Sequence, residues 1–126
     1  MSIKTIQLNN EALQQLGLIK RHISINKNNI ICRWALILSL REPGKIADLS
    51  LDFDTGGRGE IAWETFAGEY SSTYLSLLKL RLTEDDIEIN HVNLKNQLIQ
   101  HINRGLGYIL GSKKVKSVSD LVALVK

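Results

Sequence analysis

Residues 28–44 read Asn28-Asn29-Ile30-Ile31-Cys32-Arg33-Trp34-Ala35-Leu36-Ile37-Leu38-Ser39-Leu40-Arg41-Glu42-Pro43-Gly44, and this stretch decides the fold. Asn26 or Asn28 supplies a helix N-cap. Pro43-Gly44 supplies the stop, because proline lacks the N–H a helix needs and glycine tolerates the backbone that follows a last turn. Between these signals Ile30, Ile31, Trp34, Ala35, Ile37 and Leu38 cover a broad stripe. A helix so nearly apolar all round belongs at the centre of a core.

The flanking chain organises around that helix. Upstream, Ile6 and Leu8 alternate with Thr5 and Gln7, which predicts a short strand with one oily face. Asn9 and Asn10 then cap an amphipathic helix over 11–22, with Glu11 in the first turn where the helix dipole favours it. Downstream, 44–60 is acidic and glycine-rich, so an ordered surface loop with a short hairpin is expected. A third helix is expected over 63–82, with Phe66, Tyr70, Tyr74, Leu77, Leu78 and Leu80 facing inward. After a charged turn at 83–86, Asn90 caps a fourth helix to about Leu110, carrying Leu94, Leu98, Ile102, Leu106 and Ile109 or Leu110 at helical spacing. Ser117 or Ser119 opens a last short helix over 121–125. The expected fold class is mainly α: one small helical domain over 1–126 with a short N-terminal strand, a ribbon-helix-helix-like start and a hairpin around 48–60. Residues 111–126 are expected as a basic linker and a short C-terminal helix.

A length of 126 residues with 44% apolar side chains is enough for one core. No apolar run approaches the roughly 20 residues that cross a bilayer, and the first residues lack the pattern of a secretory signal. Cys32 is the single cysteine, which excludes an internal disulfide and fits a reducing compartment. A cytoplasmic protein with no membrane contact is expected. The net charge of +3 hides a sorting along the chain. Residues 1–41 hold six Lys and Arg against one carboxylate, 42–88 hold four against eleven, and 89–126 hold six against one. Basic ends around an acidic waist point to a polyanion partner for the ends.

Lys20, Arg21, His22 and Lys27 cluster within eight residues at the end of the first helix and the turn after it. A helix C-terminus explains one or two cations there, and DNA phosphates are the expected target of the group. Lys113, Lys114 and Lys116 form a second basic run, either a solvated linker or further phosphate contacts, and Lys4 adds support from the N-terminus. The strand–helix–helix order suggests two arrangements. In one, the strand pairs with a second copy and Thr5 and Gln7 face a major groove. In the other, residues 2–8 pair with the 48–54 loop of their own chain. Arg33, on an apolar helix, needs a carboxylate, with Glu60, Glu64 and Glu69 as candidates. Arg33, Glu69 and Arg104 are expected as scaffold or interface residues. Gly56-Gly57-Arg58-Gly59 lacks the Lys-Ser or Lys-Thr of a phosphate loop, so turn geometry accounts for it. His22, His91 and His101 have no metal-ligand spacing, and Cys32 packs as a small apolar residue. No catalytic residues, metal or cofactor are expected.

Asn29 to Gly44, together with Phe66-Ala67-Gly68-Glu69-Tyr70 and His101-Ile102-Asn103-Arg104-Gly105, resembles the DndE family of DNA sulfur (phosphorothioate) modification proteins. The likeness spans about 13–110 in matching order and spacing. The turn over 23–28 is slightly longer than the family pattern, and 111–126 lies outside it. The resemblance implies membership of the phosphorothioation machinery, which places sulfur on the DNA backbone. It implies a non-catalytic, tetrameric DNA-binding protein whose surface lysines hold duplex DNA, nicked duplex by preference, beside sulfur-transfer and ATPase partners. Two other functions are compatible with the residues. One is an adaptor bridging those partner proteins through the acidic waist, and the other is a sequence-specific ribbon-helix-helix repressor.

Overall fold

The computed structural model of the chain describes residues 3–23, 25–46, 53 and 55–111. The order is β1 (Thr5–Gln7), α1 (Asn10–Lys20), α2 (Asn28–Arg41), β2 (Glu60–Ala62), α3 (Trp63–Ala67), a 3-10 turn (Gly68–Tyr70), α4 (Ser71–Glu84) and α5 (His91–Gly111). The fold is mainly α, as the periodicity predicts. The 113–116 run and the helix expected over 121–125 lie outside the described residues, as do 48–52 and 54 of the expected hairpin.

The seam between α2 and α5 is the centre of the molecule. Ile31, Cys32, Ala35, Leu36 and Leu38 of α2 are buried, and Leu94, Leu98, Ile102, Leu106 and Ile109 of α5 meet them. Gly105 lets the two backbones touch at Ala35, where an added Cβ would stand 1.7 Å from the carbonyl oxygen. Ala35 opposite Gly105 and Ser39 opposite His101 fix the two helices as antiparallel. On the flank of α5, α1 runs the same way as α5. Asn9 meets Asn103 at its start, and Gln15 lies near Gly107 farther along.

β1 finds its partner within the chain. It pairs antiparallel with β2 in the register Thr5–Ala62, Ile6–Ile61, Gln7–Glu60, and Leu8 N–H donates to Gly59 O at 2.9 Å to extend the ladder. The strand therefore does not depend on a second copy for these hydrogen bonds, and its partner among the described residues is 60–62. Of the hairpin expected around 48–60, the described part is β2, whose ladder is with β1, and 48–52 and 54 lie outside the described residues. The Gln7 side chain is turned inward to this loop, donating to Arg58 O at 2.8 Å rather than being presented to a groove. Gly56, Gly57 and Gly59 all have positive φ, which confirms turn geometry as the reason for that cluster.

Two helix expectations need correction. The helix expected over 63–82 is broken at Gly68, whose φ of 58° no helix accommodates. The break swings α4 so that Leu78, Arg81 and Leu82 face the core while Tyr70, Leu77 and Leu80 are exposed. At the start of α2 the N-cap is Lys27, with no side-chain cap bond, so neither Asn26 nor Asn28 caps it. The asparagines capping the other long helices behave as expected. Asn9 Oδ1 accepts from Ala12 N–H at 3.3 Å, and Asn90 Oδ1 accepts from Asn93 N–H at 2.8 Å.

Candidate nucleic-acid interface

The connection from α1 to α2 carries the first cation cluster. Lys20 closes the last turn of α1, Arg21 is its C-cap, and Lys27 is the N-cap of α2. Ile23 and Ile25 are buried beneath this connection and anchor it to the core. Arg21, His22 and Lys27 are exposed and Lys20 is half-buried. Lys20 stands close enough to Cys32 for its charge to act on the thiol. Burial nevertheless dominates there and pushes the Cys32 pKa up to about 12, so the sulfur stays protonated and inert. Because α2 runs antiparallel to α5, this connection sits at the end of the molecule where α5 finishes at Gly111. The chain enters the Lys113, Lys114 and Lys116 run two residues later, and those three lysines lie outside the described residues. Across α1, α2 and α5 there is one carboxylate, Glu11, in the first turn of α1 and so at the opposite end from Lys20.

Lys4 belongs to a different element. Its carbonyl accepts from Trp63 N–H at 2.9 Å at the start of α3, and its neighbours on that surface include Glu64. None of its described contacts links it to the Lys20–Lys27 group.

The arginines assigned to the scaffold are held by backbone carbonyls. Arg33 donates from Nη2 to Thr65 O at 2.8 Å and from Nε to Phe66 O, so it grips the end of α3. Its expected carboxylate partners are not used, and Glu69 is exposed on the 3-10 turn. A guanidinium satisfies orphan helix carbonyls as well as it satisfies a carboxylate. Arg104 donates to Ser39 Oγ at 2.8 Å, Ser39 O at 2.6 Å and Gly44 O at 2.5 Å, and so closes the last turn of α2. Arg81, a cation of the acidic middle with no role expected from the sequence, joins it. It donates to Leu40 O at 3.0 Å and Gly44 O at 2.7 Å, and pairs with Asp85 at 3.1 Å. An arginine four residues before an aspartate on a helix was the available signal.

Ser39 and His101 form a buried pair, Oγ to Nδ1 at 2.7 Å, both without solvent exposure. Arg104 Nε also donates to Ser39 Oγ at 2.8 Å, so the hydroxyl links the imidazole to the guanidinium. Burial, aided by the Arg104 and Arg81 charges, lowers the His101 pKa to about 4 and keeps the ring neutral. No substrate reaches a pair so enclosed, and its work is to fix α5 on α2. Among the described residues no group of three or more His, Cys, Asp or Glu could hold a metal ion. No described helix is long and apolar enough to cross a membrane.

No curated protein matches the chain. A family model described as DNA sulphur modification protein DndE matches residues 5–117, nearly the whole chain, and takes in every helix among the described residues. The chain thus belongs to the DndE family and has its part in DNA sulphur modification.

Proposed function

We propose that the protein is a non-catalytic DNA-binding component of a phosphorothioation system, acting as a homo-oligomer in the cytoplasm. Lys20, Arg21 and Lys27 contact backbone phosphates of duplex DNA, and Lys4, Lys113, Lys114 and Lys116 add further contacts. The observation that carries this reading is the gathering of three cations on the α1–α2 connection, at an end of the α1, α2 and α5 layer where none of the three helices carries a carboxylate. Long flexible cations without acidic partners suit phosphate contacts that ignore base sequence. Family membership supports DNA as the polyanion. The acidic segment 42–88 stays free for other proteins of the system, with Glu60, Glu64 and Glu69 exposed on β2, α3 and the 3-10 turn.

The test replaces Lys20 and Arg21 together by Glu. Both lie at a helix end outside the core, so the variant is expected to fold with an unchanged circular dichroism spectrum. Its affinity for a nicked or intact duplex is expected to fall by about a hundredfold, as two favourable contacts become two repulsions. An unchanged gel-shift affinity would remove these residues from the interface.

A further inference from the structure

Asn93, Asn96, Gln97 and Gln100 stand at i, i+3, i+4 and i+7 on α5, so four carboxamides share one face of the helix. That face forms one wall of an open cleft of about 570 Å³, completed by Lys45, Ile46 and Ile87. Ile87 is delivered by the end of α4. Asp86 takes a left-handed φ of 58°, its N–H donates to Thr83 O at 3.2 Å, and Ile87 N–H donates to Leu82 O at 2.8 Å. This pair of bonds closes the helix and turns Ile87 back onto the core. The Asn93 amide is oriented by its bond to Glu88 O at 2.8 Å. Gln97 and Gln100 are buried, and Gln100 is only 5% exposed with its Oε1 lacking any hydrogen-bond partner. Folded proteins seldom leave a buried amide oxygen without a donor. Here the amide stands in the wall of the cleft, and its oxygen, sealed from solvent as it stands, meets a donor brought by a ligand once the side chain turns outward.

We propose that this cleft receives an adenine base that carries a phosphate. Adenine presents an amino donor beside a ring acceptor, and a single carboxamide meets both with its oxygen and its NH2 group. Ile46 and Ile87 offer apolar surface to the flat ring, and exposed Lys45 at the rim supplies the cation for the phosphate. Among the described residues no carboxylate lines the cleft. The inference rests on the DNA-binding reading only where the base belongs to a strand. From Gln97 to Gly111 is fourteen helical residues, about 21 Å along α5, so the cleft and the Lys20–Lys27 group can be disabled separately.

The full chain is titrated with a paired duplex and with the same duplex carrying one unpaired adenosine, both by fluorescence anisotropy, and with dAMP by calorimetry. The unpaired adenosine is expected to tighten binding about tenfold, the scale of one bidentate base contact. Gln100→Leu is expected to abolish that difference while leaving paired-duplex affinity and thermal unfolding unchanged, because an apolar side chain of similar size replaces an unpartnered amide. Lys45→Gln, at an exposed position, is expected to reduce the difference and serves should Gln100→Leu fail to fold. Binding of dAMP that Gln100→Leu removes identifies a free nucleotide as the ligand. A preference for the unpaired base without dAMP binding identifies a strand, and both outcomes support the assignment. Equal affinity for the two duplexes with no dAMP binding overturns it, as does a preference that survives both variants. If Lys20→Glu/Arg21→Glu binds paired duplex normally, the phosphate reading fails while dAMP still decides the cleft.

Discussion

Gly105 lies so close to Ala35 that an ordinary side chain at that position would force α2 and α5 apart. Its missing Cβ would fall 1.7 Å from a carbonyl oxygen, and the backbone of a central helix cannot give way as a flexible side chain can. Gly105→Ala is therefore expected to destabilise the fold by about 3 kcal/mol or more despite the better helix propensity of alanine. The urea midpoint checks this. Gly17, with nothing within 4 Å of an added Cβ, is the control, and Gly17→Ala is expected to be stabilising. His101 makes a second single-residue prediction. Its folded pKa of about 4 lies below the ordinary value of 6.5, so protons bind the unfolded chain more readily than the folded one. The stability it contributes is complete above pH 6.5 and is lost as pH falls toward 4, at no more than about 1.4 kcal/mol per pH unit. Between pH 6.5 and 5, before most carboxylates titrate, His101→Asn should show a flatter dependence of unfolding free energy on pH than the parent. Equal slopes would remove His101 as the cause.

At the scale of elements, the end of α2 is held from outside by two arginines on two other helices. Arg104 of α5 and Arg81 of α4 together donate to the carbonyls of Ser39, Leu40 and Gly44, so the Glu42-Pro43-Gly44 turn ties α2, α4 and α5 to one point. Arg104→Met keeps the aliphatic stem but leaves those carbonyls short of donors. A loss of about 2–3 kcal/mol is expected by chemical denaturation. Arg104→Lys is expected to restore only part of it, since one ammonium cannot reproduce the planar fork. The proline and glycine that stop α2 were plain in the sequence, whereas the arginines that finish it were not, because side chains 37 to 65 residues away supply the caps. The same distinction holds elsewhere. The 3.6-residue periods of α1, α2 and α5 and the asparagine caps at Asn9 and Asn90 are local signals and were legible. The break at Gly68 and the orientation of α4 are set by packing of Trp63, Phe66 and Tyr74, whose rings stand 5.6 and 5.8 Å apart in sequence order. No periodicity encodes that packing, so Tyr70, Leu77 and Leu80 looked like core residues. Arg33 is a related case. Its need for an acceptor was legible, but an acceptor made of the Thr65 and Phe66 carbonyls exists only once α3 has formed.

Across the whole molecule, the antiparallel seam of α2 and α5 turns charge order along the chain into charge order in space. The first and last thirds of the sequence are the basic ones, and they supply α1, α2 and α5, which pack together. The acidic middle supplies β2, α3 and α4. The Lys20–Lys27 cluster was legible as a local run. Its position at the end of α5, from which the chain passes to Lys113, was not, because helix direction is a tertiary property. If these cations each neutralise one phosphate, their number is measurable. On duplex DNA each contact adds about −0.9 to the slope of log affinity against log salt, so Lys20, Arg21 and Lys27 account for about −2.7 per subunit engaged. Lys27→Gln should make the slope shallower by about 0.9 per subunit and should do so equally on duplexes of unrelated sequence, since a phosphate contact carries no base information. A protein that read one palindrome would instead keep much of its affinity at high salt on that duplex alone. The decisive measurement is thus a salt series on two unrelated duplexes with the parent and with Lys27→Gln. Parallel lines that share one change of slope place Lys27 on the backbone, and an unchanged slope takes it off the DNA.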